Sequence, residues 1–266
     1  MYRSLYFRKG LTMTPTTTTK RLLILIPAYN EEKSITQVIC GVRQITPQAD
    51  IVVIDDGSND NTARMAEAAG VFTISHPFNL CIGGAFQTGL KFAQQQGYDL
   101  VVRVDGDGQH NPISIPLILD TLCRQKADIV ICSRFLGAEA NAYIPPLRHL
   151  GIRFFAWMVS RITGQVATDT TSGFIGMNRR AIDTLVTYMP QDYPEVESRI
   201  ILHKCKLIAV EVPTPMQARV HGQSSINTWR SFYYAVKVSI ALLMTACKDF
   251  PTRPKEMKVY TNGTIH

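Results

Sequence analysis

Five short apolar runs between Leu22 and Ile131 alternate with four segments of helical spacing, and no other feature constrains the fold as tightly. The runs are Leu22–Pro27, Ile51–Asp55, Val71–Ser75, Asp99–Val104 and Asp128–Ile131, each of strand length. Between them, Glu31–Gln44 carries Ile35, Val38, Ile39 and Val42 at helical intervals. Asn59–Ala69, Gly84–Gln96 and Pro112–Arg124 read as the other helices. Apolar strands alternating with helices predict an α/β domain: a doubly wound, mostly parallel sheet with helices on both faces.

The rhythm changes after about residue 135. Residues 137–146 read as a loop, Leu150–Ile162 as a helix and Gly173–Met177 as a strand. Helices are expected at Arg179–Tyr188 and Glu195–Lys204, and a late strand at Leu207–Val212. Residues 213–227 are rich in Pro, Gly and Ser and read as a loop. From Trp229 to Cys247 a last helix is predicted, with Trp229, Phe232, Tyr233, Val236, Ile240, Leu243, Met244 and Cys247 forming one apolar stripe. The expected organisation is a flexible basic tail (1–20), an α/β domain (21–227), an amphipathic helix (228–248) and a loose tail (249–266). Met13 is a second candidate start.

Of the 266 residues, 28 are Lys or Arg and 21 are Asp or Glu, a net charge of +7. That balance suits an anionic partner, whether phosphate, phospholipid surface or nucleic acid. No nucleic-acid motif accompanies it, so nucleic acid is not an expected partner. The six cysteines stand apart, with no CxxC pair, and several sit in apolar runs. They read as buried free thiols in a reducing compartment. The first 20 residues are basic and polar with no apolar stretch, so no secretory leader is expected there, and Ser231–Cys247 reads as too short and, with Lys237, too polar to span a bilayer.

Chemistry is expected where the strands end, because ligands of open α/β sheets bind beyond the carboxyl edge. Three such ends carry acid: Pro27–Glu31, Asp55–Ser58 and Asp105–Gln109. The first strand–helix turn has no glycine, which excludes the dinucleotide-binding fingerprint, and no P-loop is present. Asp105 and Asp107, two residues apart in one loop, can reach a single hard cation, with Gln109 adding a neutral oxygen. Mg²⁺ or Mn²⁺ suits such ligands and commonly bridges carboxylate to substrate phosphate.

These ends read Ile26-Pro27-Ala28-Tyr29-Asn30-Glu31, Val53-Ile54-Asp55-Asp56-Gly57-Ser58 and Asp105-Gly106-Asp107-Gly108-Gln109-His110, with Asn79-x4-Gly84-Ala85 between the last two. Ser133-Arg134-Phe135, Arg148, Thr171-Ser172-Gly173-Phe174, Glu211-Val212-Pro213 and Arg219-x2-Gly222-x-Ser224-Ser225 follow in order. The set closely resembles family 2 glycosyltransferases of GT-A fold over roughly residues 21–227. Within that family it looks most like the polyprenol-phosphate sugar synthases, the dolichol-phosphate mannosyltransferases among them.

The resemblance implies a role for each residue. Pro27, Tyr29 and Glu31 would line a nucleoside pocket, with Asp56 on the base. Asp105, Gly106 and Asp107 would meet the donor diphosphate, and Asp105, Asp107 and Gln109 would hold the metal. Arg219, in a mobile loop, would close over the diphosphate, making Asp107 and Arg219 the catalytic pair. Arg134 and Arg148 match positions that receive a lipid phosphate. Glu195 and Glu197 are candidate bases if the acceptor is a hydroxyl; as residues of a first helical turn they also suit the dipole. His110 and His221 flank the metal and arginine motifs and read first as loop supports.

The expected activity is inverting, metal-dependent transfer of a hexose from a GDP- or UDP-sugar to a polyprenyl phosphate. The alternatives are transfer to a sugar hydroxyl of a cell-surface polysaccharide or lipid-linked glycan, and a non-catalytic nucleotide-sugar-binding module. The expected setting is the cytoplasm, peripheral on the cytoplasmic membrane face, with the membrane surface and a small membrane protein as candidate partners.

Overall fold

The computed structural model describes residues 20–136, 146–190, 194–214 and 228–250, and within them all side chains except those of residues 146–148 and 228–235. Strands β1 (Leu22–Ala28), β2 (Asp50–Asp55), β3 (Phe72–Ser75), β4 (Leu100–Arg103) and β5 (Ile129–Ser133) alternate with helices α1 (Ile35–Ile45), α2 (Thr62–Ala68), α3 (Cys81–Gln95) and α4 (Ile115–Arg124). Then come α5 (Pro146–Thr163), β6 (Ile175–Asn178), α6 (Arg179–Tyr188), α7 (Pro194–Lys204), β7 (Ala209–Pro213) and α8 (Thr228–Cys247). All nine elements expected before residue 132 are present.

The seven strands form one sheet in the order β3-β2-β1-β4-β6-β5-β7. It is parallel except at β6, which runs antiparallel to both neighbours. Alternate residues of the central strands face opposite layers. Leu23, Leu25, Val52 and Ile54 pack with α3, α6 and α7, while Ile24, Ile26, Ile51 and Val53 pack with α1 and α4. Each fully buried aliphatic side chain contributes roughly 1.5–3 kcal/mol, so both layers hold the sheet. A third apolar cluster joins α5, α7 and α8 through Phe155, Val159, Val196, Ile200, Val238 and Leu242.

The first five helices start three or four residues from expectation, and at α1 and α3 side chains of neighbouring loops hold the backbone donors that precede or open the helix. Glu31 and Glu32 donate their N–H groups to Thr62 Oγ1 and Asp60 Oδ2, and α1 begins at Ile35, not at Glu31. At α3, Asp56 Oδ1 accepts the Leu80 N–H and Asn79 Oδ1 accepts that of Cys81, and the helix begins three residues before Gly84.

The cysteine reading is corrected. All six are free, but only Cys132 and Cys205 are buried; Cys40, Cys81, Cys123 and Cys247 are exposed. Apolar neighbours in sequence do not bury a helical residue. Cys40 follows Ile39, but one helical step turns it away from the buried face of Ile35, Val38, Ile39 and Val42. Burial pushes the Cys132 thiol up to about 12.

The apolar stripe of α8 also lies differently from a packing helix. Val236, Ile240, Leu243, Met244 and Cys247 are exposed, while Val238, Leu242 and Thr245 face the domain. On α5, Leu150, Phe154 and Trp157 are exposed as well. Among the described residues no helix is long and apolar enough to cross a membrane.

Candidate active site

Strands β2, β1 and β4 are adjacent in the sheet, so their carboxyl ends lie side by side. Beyond them opens a cleft of about 280 Å³ lined by residues that include Pro27, Tyr29, Glu31, Asp56, Asp105, Gly106 and Asp107. Every described residue assigned from the sequence to the nucleotide sugar therefore faces one space.

Local bonds make its walls rigid. Asn30 sits at φ 54°, a left-handed conformation that asparagine tolerates. Its N–H donates to Ser58 Oγ at 2.9 Å and its Oδ1 accepts the Asn59 N–H at 2.9 Å, lacing the first loop to the second. Gly57 also has positive φ, and a Cβ there would lie 2.7 Å from the Phe78 carbonyl carbon. Only glycine lets that loop approach the segment leading into α3. Asp56 is buried, and its Oδ1 accepts from both the Leu80 N–H at 2.9 Å and His76 Nδ1 at 2.7 Å. The carboxylate at the pocket wall thus also caps the start of α3.

The Asp105–Gln109 loop is held from below. Asp105 N–H donates to His110 Nδ1 at 3.0 Å, and the buried His110 ring stacks on Phe174. His110 is a loop support. Gln109 N–H donates to Asp107 Oδ1 at 3.0 Å, which ties the two residues together within the loop. Asp105 Oδ1 accepts from Arg103 Nε at 3.0 Å. Burial opposes ionisation of Asp105, but the Arg103 guanidinium and His110 outweigh it and hold the carboxyl below its ordinary range.

Three side chains of the site escaped the sequence reading: Arg103, Asp169 and His76. A signal existed for the first, since a guanidinium inside the apolar run Leu100–Val104 demands buried partners. Arg103 is 2% exposed, donates to Asp105 and Glu195, and lies 5.0 Å from the centre of the Phe86 ring. Glu195, a candidate base, is thereby bound to Arg103 Nη1 at 2.9 Å. The other candidate, Glu197, accepts from Thr245 Oγ1 of α8 at 2.9 Å.

Arg134 grips Asp169 with a two-pronged contact, Nε to Oδ2 at 2.6 Å and Nη2 to Oδ1 at 2.7 Å. Thr171 Oγ1 accepts a further bond from Arg134 Nη2. Asp169 is fully buried; burial opposes its charge, but Arg134 holds the carboxyl below its ordinary value. The Arg134 charge adds to the lowering of the Asp105 carboxyl. Arg148 lies in α5, its side chain outside the described ones, and Arg219 and His221 lie outside the described residues altogether.

Among the described residues no three His, Cys, Asp or Glu side chains gather as a metal cage. Two carboxylates on one open cleft fit a different arrangement. A magnesium-type ion is usually held by one or two carboxylates and completed by substrate phosphates and water. The donor set of Asp105 and Asp107 suits a cation that arrives with a diphosphate.

The family model described as glycosyl transferase family 2 matches residues 23–186. The undecaprenyl-phosphate mannosyltransferase of Micrococcus luteus is 32% identical over 217 residues, covering 78% of this chain and 88% of that one. The UDP-N-acetylglucosamine–dolichyl-phosphate N-acetylglucosaminyltransferase of Methanococcus voltae is 30% identical over 244 residues, covering 85% and 96%. Among solved structures, glucosyl-3-phosphoglycerate synthase from Mycobacterium tuberculosis, in complex with Mn²⁺, UDP and glucosyl-3-phosphoglycerate, superposes with a TM-score of 0.66. At 18% identity over 88% of this chain and 82% of that one, it shares the fold.

Proposed function

The chain belongs to glycosyl transferase family 2 and is a glycosyltransferase, and from that premise we propose that it moves a hexose from a GDP- or UDP-sugar to a polyprenyl phosphate, with inversion and with Mg²⁺ or Mn²⁺. The observation that carries the reading is the single cleft shared by Pro27, Tyr29, Glu31, Asp56, Asp105, Gly106 and Asp107. The Micrococcus and Methanococcus relatives are named for transfer to undecaprenyl and dolichyl phosphate, which supports the acceptor class.

In this mechanism Pro27, Tyr29 and Glu31 bind the nucleoside and Asp56 takes the base. Asp105, Asp107 and Gln109 are the residues that would hold the cation. A bound divalent cation supplies charge neutralisation as the bond from the anomeric carbon to the diphosphate breaks. Arg219 adds a second positive charge on the leaving side. An acceptor phosphate oxygen forms the new bond from the opposite face, which inverts the centre. That oxygen is already anionic at neutral pH, so no general base is needed. Arg134, whose Nε and Nη2 are held by Asp169, would turn Nη1 to the acceptor phosphate, and Arg148 would bring a second guanidinium to it.

Transfer to a sugar hydroxyl would require a base, and the Arg103 and Thr245 contacts of Glu195 and Glu197 favour the phosphate. The protein works as a peripheral enzyme on the cytoplasmic membrane face. Helices α5 and α8 contain no acidic residue, carry Arg148, Arg153, Arg161, Arg230 and Lys237, and expose Phe154, Trp157, Ile240 and Leu243. Apolar side chains among basic ones suit an anionic lipid surface.

The test uses purified protein, Mn²⁺, a panel of GDP- and UDP-sugars, and polyprenyl phosphate beside a hydroxyl glycan acceptor. The expected product is a polyprenyl-phosphate hexose of inverted anomeric configuration. Transfer to the glycan alone, or product formation in EDTA, overturns the reading.

A further inference from the structure

The acidic residues opening α7 have a use other than base catalysis. We propose that Glu195 is a positioning residue for the cation site: by sharing the Arg103 guanidinium, it leaves Asp105 enough negative charge to hold a cation–diphosphate. The inference rests on the reading of Asp105 and Asp107 as the cation-holding pair.

The geometry is a linear relay. Arg103 Nε donates to Asp105 Oδ1 at 3.0 Å, and Arg103 Nη1 donates to Glu195 Oε1 at 2.9 Å. The guanidinium is shut away from water, Phe86 covers one face, and Gly173 admits the close approach. A Cβ at residue 173 would lie 2.7 Å from both Arg103 Nη2 and Asp105 Oδ2. One guanidinium and two carboxylates sum to a charge of −1. With Arg103 alone, Asp105 would be a neutralised ion pair and a poor ligand for a cation. With Glu195 on the far side of the guanidinium, the surplus charge remains at the cleft, since Asp105 is the member that lines it.

Groups that orient and charge a metal ligand from behind typically change metal affinity by about 10–100-fold when removed. A base would behave differently, because losing it lowers kcat and leaves cation and nucleotide binding intact.

The experiment is calorimetric titration of Mn²⁺ into the full-length protein with UDP or GDP, whichever the wild type binds, compared with Glu195→Gln and Glu195→Asp. Glutamine keeps an acceptor for Arg103 and removes the charge; aspartate keeps the charge. The Gln variant is expected to bind Mn²⁺ roughly tenfold more weakly or worse, with the Asp variant well above it. Transfer by the Gln variant recovers when Mn²⁺ is raised to match the lost affinity. Wild-type affinity in Glu195→Gln together with a lost kcat makes Glu195 a base and overturns the proposal. Equal losses in both variants overturn the charge argument. A wild type that binds Mn²⁺ with neither nucleotide removes the underlying reading of the cleft, and this inference with it. If Glu195→Gln lacks a cooperative melt, the double variant Arg103→Gln/Glu195→Gln replaces it. With the attenuating guanidinium gone, it is expected to bind Mn²⁺ at least as tightly as wild type, and weaker binding refutes the proposal.

Discussion

Replacing Arg134 by alanine strips a fully buried carboxylate, Asp169, of its one ion-pair partner among the described residues. Asp169 then has two escapes, to stay charged on the backbone N–H groups of residues 134 and 171, or to take a proton. Protonation sets the ceiling, because its cost grows by about 1.36 kcal/mol for each pH unit above the ordinary carboxyl value of about 3.9. The ceiling is about 4 kcal/mol at pH 7 and about 1.5 kcal/mol at pH 5, and the pH 7 figure agrees with the roughly 3–5 kcal/mol for breaking buried pairs. In the wild type, the folded pKa of Asp169 is depressed, so the pair's stabilisation is present above the unfolded pKa and lost as pH falls through the folded one. In the variant the folded pKa is raised, so destabilisation builds as pH climbs from about 4 to 7. Thermal melts should therefore show a fall of roughly 8–16 °C at pH 7, shrinking by more than half at pH 5. The double variant Arg134→Met/Asp169→Leu should recover most of the stability, since no unpaired charge remains. It should not recover transfer, because the acceptor phosphate still lacks its arginine. A loss under 2 °C at pH 7, or one that is independent of pH, would refute the reasoning.

Asp107→Ala should cut transfer by roughly 100-fold or more while leaving the melt unchanged, because the cation loses a charged ligand; a fully active variant removes the metal-dependent mechanism. Gly57→Ala should cost at least about 1–2 kcal/mol for the left-handed backbone alone. It should also raise the donor KM, since the new Cβ meets the Phe78 backbone at 2.7 Å; unchanged donor KM and melt would contradict the packing argument. Trp157→Glu with Leu243→Glu alters only exposed positions, so the fold should be kept while flotation on anionic vesicles is lost; a variant that still floats would show that neither helix faces the bilayer. With saturating Mn²⁺, Arg134→Ala should lose transfer to polyprenyl phosphate and Glu197→Gln should keep most of it; the reverse ranking would point to a hydroxyl acceptor.

Much of this protein was legible in one dimension because the relevant physics is local. A buried strand needs a short apolar run and a helix needs a 3.6-residue stripe, so the elements from Leu22 to Ile131 could be read within a few residues. Turn chemistry at three strand ends marked the loops of the cleft, and parallel β2, β1 and β4 carry those ends to one rim. Strand direction leaves no such trace. Nothing in Ile175–Asn178 says that it enters antiparallel between β4 and β5, yet its pairing of Ile175 with Arg103 brings Gly173 and Phe174 beside Asp105 and His110. Partner choice is equally silent. Arg103 and Glu195 are 92 residues apart, and Arg134 and Asp169 are 35 apart. A buried guanidinium announces that it needs a carboxylate but not which one, because that depends on what the folded chain leaves within reach. The α8 stripe shows the same division: its period makes a helix, but only the packing of Val238 and Leu242 against α5 and α7 decided that Ile240 and Leu243 face outward.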